Sequence, residues 1–113
     1  MSKEENAIQS AIMQYLFYNK IFHWRNNNTP IYDVTRKRFR AMPKGAIKGV
    51  SDILGILPDG RFLAIEVKKP RSYMSKEQKL FIKNINENGG VAFMARSIDD
   101  VKKHLINHYK ELI

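Results

Sequence analysis

There is no cysteine in this chain, which excludes disulfides, thiolate metal sites and every mechanism built on a nucleophilic sulfur. Oxygen or imidazole donors remain for any metal. Acids are scarce as well: eleven Asp and Glu stand against twenty Lys and Arg, a formal charge of +9 over 113 residues. Such an excess favours a polyanionic partner, nucleic acid first, although an anionic membrane surface would also attract it. No apolar run approaches the ~20 residues that span a bilayer, and the charged, Asn-containing start lacks the apolar centre of a secretory signal. A soluble, cytoplasmic protein that does not enter membranes is predicted. Internal repeats and low-complexity segments are missing too, and nothing marks an obligate protein partner. The length suits one domain, residues 1–113, with a single modest core and no room for a regulatory module.

What the chain does have is a central apolar stretch that holds two acids. Ser51 to Leu57 and Arg61 to Lys69 are rich in Ile, Leu, Val and Phe. Between them Pro58-Asp59-Gly60 supplies a fixed φ, an Asx cap and a position for positive φ, so a β-hairpin is predicted. Alternate strand side chains share a face, which sends Glu66 and Lys68 one way and Ile65 and Val67 the other, into an apolar layer. Asp52 and Glu66, brought together across paired strands, make a hard-oxygen site suited to Mg²⁺ or Mn²⁺. A lysine beside it can orient an attacking water or stabilise charge building at a phosphorus centre. The competing account makes Glu66 and Lys68 a solvated ion pair on an exposed sheet face, worth little.

The flanks are read from their periodicity. Ile8, Ile12, Tyr15 and Leu16 form the inward stripe of an amphipathic helix from Lys3 to Tyr18. Glu5 lies on that stripe and has two readings: leaning over the sheet toward a metal, or closing a capping box with Ser2. Glu4 takes its place if the register shifts. From Ile21 to Gly49 the pattern is weak. Phe22, Trp24 and Ile31 flank the turn-rich run from Arg25 to Pro30. Thr35-Arg36-Lys37-Arg38-Phe39-Arg40, followed by Lys44 and Lys48, is the clearest cationic patch, with Asp33 its one nearby acid. These cations are predicted to grip phosphates without reading bases, and Phe39 is expected to tuck into the core rather than stack on an unpaired base.

Beyond the hairpin, Pro70 ends strand pairing and Ser75 caps a helix from Lys76 to Asn88 that buries Phe81, Ile82 and Ile85. Gln78 shares that stripe and either faces the site or closes a capping box with Ser75. Gly89-Gly90 stops the helix, and Val91 to Ala95 reads as a strand covered on both faces. Ser97-Ile98-Asp99-Asp100 begins a last helix with Val101, Leu105 and Leu112 inward. His104 and His108 have zinc-ligand spacing without the acid of a metalloprotease motif, and are read as surface histidines.

Glu5, Trp24-Arg25-Asn26, Lys48-Gly49-Val50-Ser51-Asp52-Ile53, Ile65-Glu66-Val67-Lys68, Ser75-Lys76-Glu77-Gln78 and Ala95-Arg96-Ser97, in that order, resemble the Asp…Glu-x-Lys core of the PD-(D/E)XK nuclease superfamily. More closely they resemble its VRR-NUC domains, found in phage proteins and repair nucleases, and the resemblance covers most of the chain. Ser51 stands where the superfamily's label has proline, as in the VRR-NUC form. The resemblance implies a restriction-endonuclease-like α/β fold of order α-β-β-β-α-β-α, a mixed central sheet flanked by helices. It implies a Mg²⁺- or Mn²⁺-dependent endonuclease hydrolysing DNA phosphodiester bonds, structure-specific for junctions or flaps in replication, recombination or repair. Asp52, Glu66 and the Val67 carbonyl oxygen would hold the metal, with Glu5 direct or through water. Lys68 would serve the attacking water and Gln78 would assist. Arg25 would lie near the cleft and hold the first glutamate or a phosphate, a plain surface turn being its other reading, while the charge pattern itself puts Arg36, Lys37, Arg38, Arg40, Lys44 and Lys48 on DNA. Small standalone members resemble junction resolvases in being expected to dimerise. The rival reading is a non-catalytic nucleic-acid-binding module on the same fold.

Overall fold

The computed structural model describes residues 1–26, 32–39 and 44–107; of the residues singled out above, the run from Asn27 to Ile31, Arg40, His108 and Leu112 lie outside them. The Ser2 hydroxyl oxygen accepts a hydrogen bond from the Glu5 N–H and starts helix α1 (Lys3–Tyr18), which buries Gln9, Ile12 and Leu16. Asn19 closes it, and Lys20, at φ 57°, turns the chain into strand β1 (Phe22–Arg25). A separate two-stranded unit follows, β2 (Tyr32–Asp33) with β3 (Arg38–Phe39).

The central stretch forms the expected hairpin of β4 (Ile53–Ile56) and β5 (Phe62–Val67). Its turn is closed by the Gly60 N–H on the Leu57 carbonyl (2.8 Å) and by Asp59, whose carboxylate takes the Arg61 N–H (3.0 Å). Helix α2 (Lys76–Glu87) crosses to β6 (Val91–Ala95), and α3 (Ile98–Ile106) completes the fold. The main sheet has the order β1-β4-β5-β6. Its first two pairings are antiparallel and β5–β6 is parallel, as the helical crossover requires. With the small β2–β3 unit set aside, the predicted α-β-β-β-α-β-α order is the one observed.

Pleating divides the core. Ile53, Leu63, Ile65 and Val67 pack with Ile12 and Leu16 of α1 and Val101 and Leu105 of α3, whereas Leu54, Ala64 and Ala92 on the opposite face pack with Phe81 of α2. Glu66 belongs to this second face, next in the alternation after Phe62 and Ala64. At the outer margin of β6 a side chain pairs with the backbone of one residue: Asn86 of α2 donates to the Ala92 carbonyl (2.9 Å) and accepts from its N–H (2.8 Å).

One expectation fails here. Phe39 does not enter the core; it is 62% exposed, with its ring against Tyr32. Its strand pairs with β2 in a unit of two short strands, over which no second layer lies among the described residues.

Candidate active site

The approach to β4 is fixed by a glycine. Gly49 has φ +76°, and a Cβ on it would come within 2.4 Å of the Glu77 carbonyl carbon and 2.6 Å of the Gln78 nitrogen. A side chain is therefore excluded by conformation and by space, and the chain before Asp52 lies against the first turn of α2. Asp52 is then tied to both neighbours: its backbone carbonyl accepts the Asn26 N–H (2.8 Å), and its Oδ2 accepts the Val67 N–H (2.9 Å). Continuing the register in which Ile53 faces Ile65 sets Asp52 opposite Glu66.

Glu66 is buried, 2% exposed. Its carboxyl shares a hydrogen bond with Asp52, while Oε1 is buried with no hydrogen-bond partner among the described residues. Burial pushes its pKa up to about 9; the hydrogen bond and the charge of Asp52 add to the rise, Glu5 contributes further, and Lys68 opposes it. A solvated ion pair does not describe this group. Two carboxyls so placed either share a proton or, both ionised, require a cation between them. The donors are hard oxygens, and the unpaired Oε1 is the atom that gains most from a cation, so the residues present fit Mg²⁺ or Mn²⁺. Among the described residues no three His, Asp or Glu side chains converge as a group able to hold an ion. Two carboxylates with water and phosphate completing the shell are the usual arrangement for Mg²⁺.

Around this pair the predicted residues divide. Lys68 follows β5, half-buried, its N–H on the Ala95 carbonyl (3.1 Å). Glu5 is half-buried and close enough for its charge to act on Glu66, yet its Oε1 also takes the Ser2 hydroxyl (3.2 Å); Glu4 is exposed. Gln78 closes a complete capping box: its Oε1 accepts the Ser75 N–H (2.8 Å) and its N–H donates to the Ser75 hydroxyl (3.1 Å). The structure thus brings Asp52, Glu66 and Lys68 together, sets Glu5 at their margin, and shows Gln78 engaged with its own helix start.

A family model for the VRR-NUC domain matches residues 3–99. The chain belongs to the VRR-NUC family. A solved VRR-NUC domain is similar with a TM-score of 0.67 and 21% identity, covering 96% of this chain and 99% of that one. A second structure, of a VRR-NUC domain protein, gives 0.64 and 22%, covering 97% and 91%. Identities this low bear on the fold, which is the restriction-endonuclease-like one predicted. No curated protein matches the chain. Membership makes this a nuclease-type domain.

In this VRR-NUC domain the cations predicted to meet DNA are spread over three places. Arg25 ends β1, exposed, with Ile53 as its register partner. Arg36, Lys37 and Arg38 stand exposed on the β2–β3 hairpin, and Lys44 and Lys48 on the approach to Gly49. Gln9 went unnoticed in the sequence, while Ser51 and Arg96 were named there only within the family motif, without a role. Gln9, one turn beyond Glu5, is 3% exposed with both amide atoms unpaired among the described residues, and the Ser51 hydroxyl is likewise buried and unpaired. A polar residue on the Ile12–Leu16 stripe was a readable signal for Gln9. Arg96 had none. Its guanidinium donates to the Ser72 carbonyl (2.7 Å), 24 residues away, and lies over the Tyr73 ring (5.8 Å), so it clasps the loop that leaves Lys68. His104 stacks on Phe93, ring centroids 4.3 Å apart.

Proposed function

We propose that this chain is a metal-dependent deoxyribonuclease that hydrolyses phosphodiester bonds, acting on branched or interrupted DNA such as junctions and flaps. The observation that carries the reading is the Glu66 carboxyl, buried beside Asp52 with an unpaired oxygen. A buried, uncompensated acid destabilises a fold, and a module that only bound nucleic acid would have no use for it.

Asp52 and Glu66 would hold the ion with the Val67 carbonyl oxygen, and Glu5 would assist through water. When bound, Mg²⁺ or Mn²⁺ supplies positive charge at the phosphoryl oxygens. Lys68 would orient the attacking water and lend its ammonium to the charge that develops as one P–O bond forms and the other breaks. Gln78, through the capping box, would steady the α2 start against which Gly49 and the approach to Asp52 rest. The exposed cations would hold the DNA backbone without selecting sequence.

The test is a panel of labelled duplex, nicked, flap and four-way-junction DNAs, with and without Mg²⁺ or Mn²⁺. Wild type is expected to cut with metal and not without. Asp52→Asn and Glu66→Gln are expected to lose at least about 100-fold in rate, the scale of removing one preorganised electrostatic group, while binding DNA nearly as before. Cleavage unchanged in both variants would sink the site and favour the non-catalytic binding module.

A further inference from the structure

The β2–β3 hairpin shows two aromatic rings to solvent where a fold normally hides them. Tyr32 and Phe39 are register partners, 51% and 62% exposed, with centroids 5.3 Å apart at 75°. Strand alternation sends both to one face of the hairpin and Asp33 and Arg38 to the other. Exposed aromatics clustered within a charged surround mark a contact surface.

The surround says what that contact is. Asp33, the acid of the hairpin, is used internally: its Oδ1 accepts the N–H groups of Thr35 (3.0 Å) and Arg36 (3.1 Å), and its Oδ2 pairs with the Arg36 guanidinium (3.8 Å). Arg36, Lys37 and Arg38 are all exposed and leave the tip strongly cationic. An apolar protein partner is a poor fit, because the centres of protein interfaces are depleted of charge. A polyanion whose units carry flat apolar faces is a good one. Duplex DNA buries those faces in its own stack; an unpaired strand presents them.

We propose that Tyr32 and Phe39 stack on unpaired DNA bases while Arg36, Lys37 and Arg38 hold the flanking phosphates, so that the hairpin recruits the domain to gaps, flaps and branch points. The proposal rests on the DNA-cleaving function above and names the feature of the substrate that the protein recognises.

Affinity for a continuous duplex and for the same duplex with a short single-stranded gap, measured with metal chelated so that nothing is cut, tests it. Wild type is expected to prefer the gapped DNA. Phe39→Ala should weaken gapped binding about tenfold, as loss of one base–aromatic stack does, and leave duplex binding within about twofold. Phe39→Leu keeps an apolar cross-strand contact but has no π face, and should behave like alanine; Phe39→Tyr keeps a ring and should behave like wild type. Abasic residues across the gap should abolish the preference. Full retention by Phe39→Leu, equal loss on both DNAs, or no loss at all overturns the stacking role. Failure of wild type to bind any DNA removes both proposals, whereas selective gap binding without cleavage when metal is restored removes the nuclease reading alone.

Discussion

The carboxylate corner of β4 and β5 and the β2–β3 hairpin are built on opposite plans. At the corner the chain is held from several sides: Asp52 is bonded to Asn26 on one side and Val67 on the other, Glu66 is buried, and Gly49 is wedged on α2. The hairpin has two register pairs, a turn organised by Asp33, and side chains that face water. Bond-breaking demands groups held to a fraction of an ångström. Gripping a phosphate backbone demands charge and reach, which an exposed hairpin supplies without taxing the core. The difference teaches where each kind of substitution will register: in turnover and stability at the corner, in affinity at the hairpin.

The most severe break in that contrast is expected from Lys68→Met, which removes an ammonium and spares both carboxylates. Cleavage should fall by about 100- to 1,000-fold with metal binding retained, as followed by titration calorimetry; a wild-type rate would reduce Lys68 to an ion-pair partner. Gly49→Ala comes next. Positive φ and overlap with backbone atoms at 2.4 Å should cost about 3 kcal/mol or more in denaturant unfolding, and rate should drop with it because β4 loses its fixed approach. An alanine variant of unchanged stability would show that the corner yields more readily than its contacts imply.

Glu66→Gln sharpens the contrast in the other direction. The folded chain holds the Glu66 proton up to about 9 against an ordinary value of 4.5. Below about 4.5 both folded and unfolded chains are protonated there and the residue contributes nothing. Between 4.5 and 9 the unfolded chain has released a proton that the folded chain keeps, so stability falls as pH rises through that window. With metal chelated, Glu66→Gln should therefore be more stable than wild type at pH 8 and equal to it near pH 4. Thermal melts at the two pH values decide it, and a variant less stable at pH 8 would contradict the uncompensated burial. The smallest effect belongs to the hairpin. Replacing Arg36, Lys37 and Arg38 by Gln should leave melting unchanged while flattening the log K against log salt line by up to about 0.9 per lost contact on duplex DNA. Parallel lines would leave the hairpin cations as a solvated face.

Legibility in the sequence followed the same division. Asp52, Glu66 and Lys68 could be placed because strand alternation and the Pro58-Asp59-Gly60 turn are local, and locality fixes which side chains share a face. Helix α1 was readable to its ends for the same reason. Phe39 was misplaced because one aromatic within a basic run has no period, and its exposure depends on pairing with Tyr32, seven residues earlier. The two N-terminal caps show the limit most clearly. Ser2-x-x-Glu5 and Ser75-x-x-Gln78 have one pattern, yet Gln78 closes its box, whereas Glu5 meets Ser2 and also acts on Glu66. Only the path of the chain beyond each helix separates them.

The reciprocal pair between Asn86 and Ala92 bears on how copies of this sheet can join. A sheet grows by strand addition at a margin, and unlimited growth requires two margins that accept a newcomer. At β6 the amide of Asn86 already occupies the outward donor and acceptor of Ala92, as a visiting strand would. Among the described residues the opposite margin of the sheet is β1. Strand addition that leaves the Asn86 pair intact is therefore turned away from Ala92, and a newcomer at β6 must first displace a side chain that already satisfies that backbone.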